Sequence, residues 1–377
     1  MMGTIIAIDS YKGCLSSREA NEAAMAAFPE GEAAIVPVSD GGEGFSTIVT
    51  DAIGGHFREV RCSDPLGRPV IARYGLSRDE RIAVIETAAA SGLGLVEPEE
   101  RNLLVESSFG TGELMSDALD MGVEEIWLGL GGTATCDGGT GMAQALGYRF
   151  LTAEGALAPG MATMGNIVAI DSSHKHKKLK DCKIIGYYDV SVPFHGPSGA
   201  ARMFAPQKGA GPELTEAIDE WMARLCQVYS MFSGEEIKNV PGSGAAGGIG
   251  GALRTLFRSE MSPGIWKVLD LSGFGDLLDE SELVITGEGH SDSQTLKGKV
   301  PMGVLSYVRR YDFESGVPGR TKVFLLSGQV SDEEELLAAG FDGLENATPE
   351  GTPLQEAMKS EAAKRNILSA ARRIANK

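Results

Sequence analysis

Five short apolar runs, at residues 4–8, 34–38, 125–128, 283–285 and 322–326, each stop abruptly at a turn rich in glycine, carboxylate or hydroxyl groups. This restricts the fold more than any other feature. Continuous apolar runs of that length bounded by turn residues predict buried strands of a parallel sheet. Helical segments follow them: residues 18–28, with Ser17 as the expected N-cap, then 45–53, and later 333–339 and 354–375. Alternation of this kind predicts an α/β protein whose ligands bind just beyond the carboxyl ends of the strands. Asp9 and Ser10 with Lys12, Asp40 with Glu43, and the 286–299 loop all follow such strands, so one sheet edge should gather them.

The middle of the chain has another texture. Residues 58–61, 70–76 and 81–86 read as closely spaced strands joined by Asp64-Pro65-Leu66-Gly67 and by 77–80, the pattern of an antiparallel meander. A strand at 183–190 carries Asp189 near its carboxyl end, and 213–231 reads as an amphipathic helix. The expected architecture is a Rossmann-like parallel-sheet domain, built from residues 1–60 plus 281–377. A second α/β domain with a mixed sheet, residues 61–280, interrupts it, and the active cleft is expected between the two.

Composition bounds the function. A net charge of −18 disfavours nucleic acid, whose phosphates would be repelled. The five cysteines are scattered and lack metal-ligand spacing, as in a reduced cytoplasmic protein. The first residues have too short an apolar run and no basic segment for a signal peptide. No stretch approaches the ~20 apolar residues of a membrane span. Small-molecule substrates, with no nucleic acid and no membrane, are therefore expected; the sequence leaves monomer or homodimer open.

Fifty glycines among 377 residues is about twice the usual share, and they cluster. In residues 283–301, LVITGEGHSDSQTLKGKVP, Glu288 and Asp292 stand near Lys299 on a glycine-rich loop. Such a loop suits a phosphate carried with Mg²⁺, the carboxylates taking the metal and the ammonium groups the oxygens. Taken alone, it suits a solvated loop equally well. In residues 129–141, GLGGTATCDGGTG, the amides of Gly131, Gly132, Thr133 and Gly138 could cradle phosphate with Asp137 near a metal or hydroxyl. The same residues fit G-x-G-x-x-A, but the helix is not expected to start inside that motif, as dinucleotide binding requires. No G-x-x-x-x-G-K-[ST] occurs. Lys208 sits in a tight Pro206-Gln207-Lys208-Gly209 turn, and no histidine has metal-ligand spacing.

Along its whole length the chain resembles the bacterial glycerate kinases of the first type. The resemblance is carried by AIDSYKGCLSS (7–17), SDGGEG (39–44), DPLGRPV (64–70), ETAAASGL (86–93) and SSFGTGEL (107–114), and by the 129–147 segment. FAPQKGA (204–210), PGSGAAGGIGGAL (241–253) and TGEGHSDSQTLKGKVP (286–301) complete it. Ile8, Val192 and Ala205 stand where that family commonly has proline, asparagine and glycine. The resemblance implies transfer of a phosphoryl group from ATP, with Mg²⁺, to D-glycerate, most simply giving the 2-phosphate. It implies Asp189 or Asp292 as the carboxylate that orients the attacking hydroxyl, and Asp40, Glu43 and Glu288 nearer the metal. Lys12, Lys208 and Lys299 would hold substrate carboxylate and phosphates. The glycine loops, including Gly247 and Gly248, would supply amides to ATP. The alternatives are a kinase of another small hydroxy or sugar acid, a nicotinamide-dependent hydroxy-acid dehydrogenase, and a sugar-acid sensor without turnover.

Overall fold

The strand Thr4–Ile8 is buried at every position, and its alternation sends Ile5 and Ala7 to one face of a sheet and Ile6 and Ile8 to the other. The computed structural model of the chain describes residues 3–377 apart from 12, 39–43, 156, 158–159 and 189. The strands of its two larger sheets, in chain order, are β1 (Thr4–Ile8), β2 (Ala33–Ile35), β3 (His56–Ser63), β4 (Pro69–Leu76), β5 (Ile82–Glu86) and β6 (Glu125–Leu130). They continue with β7 (Lys183–Tyr188), β8 (Glu260–Pro263), β9 (Leu283–Gly287), β10 (Lys322–Ser327) and β11 (Gly343–Asn346).

The chain divides into Met1–Asp40 with Ile265–Lys377, and Gly41–Gly264. In the first unit the strands pair in the order β11-β10-β9-β1-β2, all parallel. Ile5, Ala7, Val284, Val323 and Leu325 pack on one face with Val304 and Val308 of the helix Val300–Glu314. Ile6, Ile8, Ile285 and Leu326 pack on the other with Ala20, Ala24, Ile367 and Ala371, from the helices Ser17–Met25 and Ser360–Ala375. A parallel sheet covered on both faces is the doubly wound arrangement the apolar runs imply.

The second unit has a mixed sheet in the order β8-β7-β6-β5-β4-β3, antiparallel from β3 to β5 and parallel from β5 to β8. The fold is thus α/β, one parallel sheet and one separate mixed sheet, as expected. Among the described residues no helix is long and apolar enough to cross a membrane.

Three local readings differ. The first helix is capped by Ser16, not Ser17: Ser16 Oγ accepts the Glu19 N–H at 3.3 Å and the Glu19 carboxylate accepts the Ser16 N–H at 3.0 Å. Ser17 Oγ instead donates to Ile8 O at 2.6 Å, tying the helix to the end of β1. The helix Phe45–Ala52 lies in the second unit, with Phe45 against Tyr187 and the Ser46 N–H donating to the Glu86 carboxylate at 2.6 Å. Its sequence is equally apolar for either sheet, so periodicity could not assign it. Finally, Ile265, Leu269, Phe274 and Leu278 belong to the first unit's core, so that unit resumes at Ile265 rather than near 281.

Because β1 is flanked by β9 and β2, removing residues 282–377 leaves it only a three-residue neighbour, and an isolated two-stranded sheet is marginal in water. Amide exchange at residues 4–8 of a 1–281 fragment should be as fast as in an unfolded chain. Retained protection there would contradict this account of the sheet.

Candidate active site

At the carboxyl edge of the parallel sheet β1, β9 and β10 end side by side. Asp9 N–H donates to Gly287 O at 2.9 Å, and the Asp9 side chain accepts the Ser10 N–H at 2.7 Å. Gly287 is required here, since a Cβ on it would lie 1.6 Å from Leu326 O. Glu288, only 8% exposed, follows. Its Oε1 accepts Thr295 Oγ1 at 2.7 Å and Ser291 Oγ at 3.4 Å, and its Oε2 accepts Lys299 Nζ at 3.0 Å. Ser291 Oγ lies 2.7 Å from Ser327 Oγ, which joins the end of β10 to the same network. Both carboxylate oxygens are therefore engaged, and the Lys299 ammonium is fixed where the helix Val300–Glu314 begins.

Asp292 starts the turn that delivers Thr295. Its N–H donates to Thr295 Oγ1 at 3.1 Å, and its Oδ1 accepts the Gln294 N–H at 2.8 Å. Nearby Tyr11, buried, donates its hydroxyl to Leu326 O at 3.4 Å. Burial, with Cys14 and Glu288 adding to it, raises the Tyr11 phenol far above its usual range, so it serves as a neutral donor.

The second unit organises its glycine loops around Asp137, which is 2% exposed. One oxygen accepts Ser108 N–H at 2.9 Å, Ser108 Oγ at 2.8 Å and Gly141 N–H at 3.2 Å; the other accepts Gly139 N–H at 3.0 Å. Gly138 N–H donates to Gly247 O at 3.0 Å, and Gly248 N–H to Gly244 O at 3.2 Å. Ala246, Gly247 and Gly248 are all left-handed, and a Cβ at Gly247 would sit 2.1 Å from Thr135 O. The two glycine loops thus interlock backbone to backbone.

Gly132, at φ +64°, is the exposed member of the 131–139 turn, with Gly131 and Thr133 buried beside it. The following helix starts only at Thr140, outside the G-x-G-x-x-A stretch. Lys208, 3% exposed, donates to Thr135 O at 2.8 Å and Thr133 Oγ1 at 3.3 Å.

Of the residues singled out from sequence, Asp9, Ser10, Glu288, Asp292 and Lys299 gather at the parallel sheet's edge. Gly131, Gly132, Thr133, Asp137, Gly138, Lys208, Gly247 and Gly248 gather around the end of β6. The amides of Gly138 and Gly248 and the Asp137 carboxylate are engaged within their own unit. Lys12, Asp40, Glu43 and Asp189 lie outside the described residues. Among the described residues no group of three or more histidines, cysteines, aspartates or glutamates stands close enough to hold a metal. Sequence reading missed Ser291, Thr295, Ser327, Ser108 and Glu106. The first two lie inside the singled-out 286–301 motif, but only the geometry shows them turned onto Glu288.

The family model of the glycerate kinase family matches residues 4–377. The chain is 40% identical over 367 residues to a glycerate kinase of Bacillus subtilis (strain 168), covering 96% of this chain and 94% of that one. It is 38% identical over 380 residues to a glycerate 2-kinase of Escherichia coli (strain K12), covering 99% and 97%. A crystal structure described as glycerate kinase 2 from Salmonella typhimurium LT2 aligns with a TM-score of 0.78 at 38% identity, covering 100% of this chain and 97% of that one.

The four donors on Asp137 generate a prediction that separates scaffold from ligand contact. Asp137→Asn puts an amide group where only acceptors are wanted and should lower unfolding free energy by about 2–4 kcal/mol in urea denaturation. A variant of unchanged stability that loses only nucleotide affinity would contradict the scaffold role.

Proposed function

The chain belongs to the glycerate kinase family and is a phosphotransferase acting on glycerate, and we propose that it transfers the phosphoryl group of ATP, with Mg²⁺, to the 2-hydroxyl of D-glycerate. The observation that carries this reading is the Lys299 ammonium pinned by buried Glu288 at the carboxyl edge of a parallel sheet, in a chain matched to the family from residue 4 to 377. Phosphoryl transfer asks for positioning and charge neutralisation more than for covalent chemistry, so a lysine held in one place is the kind of group it needs.

Lys299 would meet phosphate or carboxylate oxygens without reorganising, because Glu288 already fixes its direction and takes part of the entropic cost beforehand. Asp292, partly buried and receiving only the Gln294 N–H on its side chain among the described residues, would orient the attacking hydroxyl and accept its proton, with Asp189 the other carboxylate suited to that task. Lys12 and Lys208 would add positive charge, and the turn at Gly131, Gly132 and Thr133 would face the nucleotide.

Glu288 spends both its oxygens on Thr295, Ser291 and Lys299, so its first task in this reading is to position Lys299 rather than to hold the metal. A Mg²⁺ ion arriving on nucleotide phosphates needs only one or two carboxylates, a task left to Asp40 and Glu43. Bound there, the ion would neutralise phosphate charge.

Purified protein with ATP, Mg²⁺ and D-glycerate should release ADP; no release above a control lacking glycerate would contradict the reading. Lys299→Met should lower kcat/KM by roughly 2–4 kcal/mol of transition-state stabilisation. Asp292→Asn should reduce kcat more than ATP affinity. Acting on one transition state, the pair should be less impaired together than the two losses summed.

A further inference from the structure

Glu106 is 1% exposed, yet only one of its carboxylate oxygens is engaged: Oε1 accepts the Asn102 N–H at 2.9 Å, and Oε2 is buried without a partner. An unpartnered buried acceptor is costly, and more so when it carries charge. Burial accordingly raises the Glu106 carboxyl above its ordinary range, with the charges of Lys208 and Arg101 pulling the other way. A fold under no functional demand would do better with a glutamine here, and native proteins keep such groups mainly where chemistry needs them.

Lys208 presents the complementary problem. Its ammonium is 3% exposed and, among the described residues, meets only uncharged groups: Thr135 O, Thr133 Oγ1 and the Cys136 thiol. Among the described residues it forms no ion pair. Thr135 links the two, its Oγ1 donating to Glu106 O at 3.2 Å while its own carbonyl receives Lys208. The other charged or titratable groups facing this spot are few. Arg101 donates through Nη1 to Gln207 O at 3.3 Å, while its Nε is buried without a partner, so it is a second cation near Glu106. Cys136 has a thiol pushed up by burial, and Asp137 is saturated by its four donors.

We propose that Glu106 is a positioning residue for phosphoryl transfer, its buried and unpaired carboxylate oxygen supplying the counter-charge that keeps the Lys208 ammonium seated on Thr133 and Thr135 at the end of β6. Resting on the glycerate kinase reading, the proposal assigns Glu106 no contact with substrate. It acts through Lys208.

The sign of the pH effect follows. A carboxyl whose folded-state pKa is raised favours the protonated form in the fold, so its ionisation lowers stability as pH rises through that raised value. Function needs the ionised form, so activity falls as pH drops through the same window. Glu106→Gln, which mimics the neutral form, should melt at or above the wild-type temperature at pH 8. It should lose more than about tenfold in kcat/KM and lack the wild type's acidic fall in activity. In a Lys208→Met background it should change kcat/KM by less than about twofold.

Glu106→Asp, which keeps the charge, should recover part of the rate. Wild-type kcat/KM with an unchanged pH profile, a loss that merely tracks a lowered melting temperature, or full additivity with Lys208→Met would each overturn the proposal. Wild-type turnover is the reference. Its absence would overturn the kinase reading as well, whereas a wild-type-like Glu106→Gln would overturn the positioning role alone. Should the double variant not fold, the pH profile of Glu106→Gln decides the matter.

Discussion

Everything at the carboxyl edge of the parallel sheet hangs on the buried carboxylate of Glu288. The Glu288 N–H donates to Ser327 Oγ at 3.3 Å, its carbonyl accepts the Gly328 N–H, and its two side-chain oxygens accept from Thr295, Ser291 and Lys299. Through these bonds the ends of β9 and β10, the 292–295 turn and the start of the helix Val300–Glu314 are fixed together. A buried anion is tolerable only when its oxygens are satisfied. Meeting that demand is what orients the lysine, so one requirement builds both the local structure and the site.

The second unit solves a related problem with backbone. Asp137 satisfies the amides at the turn into the helix Thr140–Ala145, and the left-handed run at 246–248 lets a second glycine loop approach Thr135 and Gly138 closely. Much of the clustered glycine is therefore a packing requirement: at Gly247 a side chain would collide with a carbonyl. Gly132 is the exposed member of the same turn.

What was legible in the sequence follows the same physics. β1, β9 and β10 could be read because a parallel sheet covered on both faces needs uninterrupted apolar runs, and their polar ends marked the edge where Asp9, Ser10, Glu288 and Lys299 gather. The helix Phe45–Ala52 was assigned to the wrong neighbours because its apolar face suits either sheet, and Phe45 against Tyr187 with Ser46 meeting Glu86 settles it. For Glu288 the residue was legible but its orientation was not, since a carboxylate beside a lysine reads alike whether it binds that lysine or a metal. Glu106 left no signal at all. It lies between a 3-10 turn at Pro98–Glu100 and the helix Phe109–Met121, where no periodicity marks a buried side chain.

The account holds that this scaffold delivers phosphate from ATP to one particular oxygen of glycerate. Proton-coupled phosphorus NMR of the product formed from ATP, Mg²⁺ and D-glycerate addresses that claim most directly. A phosphate on the 2-oxygen couples to a single methine proton and should give a doublet. A triplet from the methylene position would contradict the assignment of the acceptor oxygen, and inorganic phosphate as the only new resonance would contradict phosphoryl transfer to glycerate altogether.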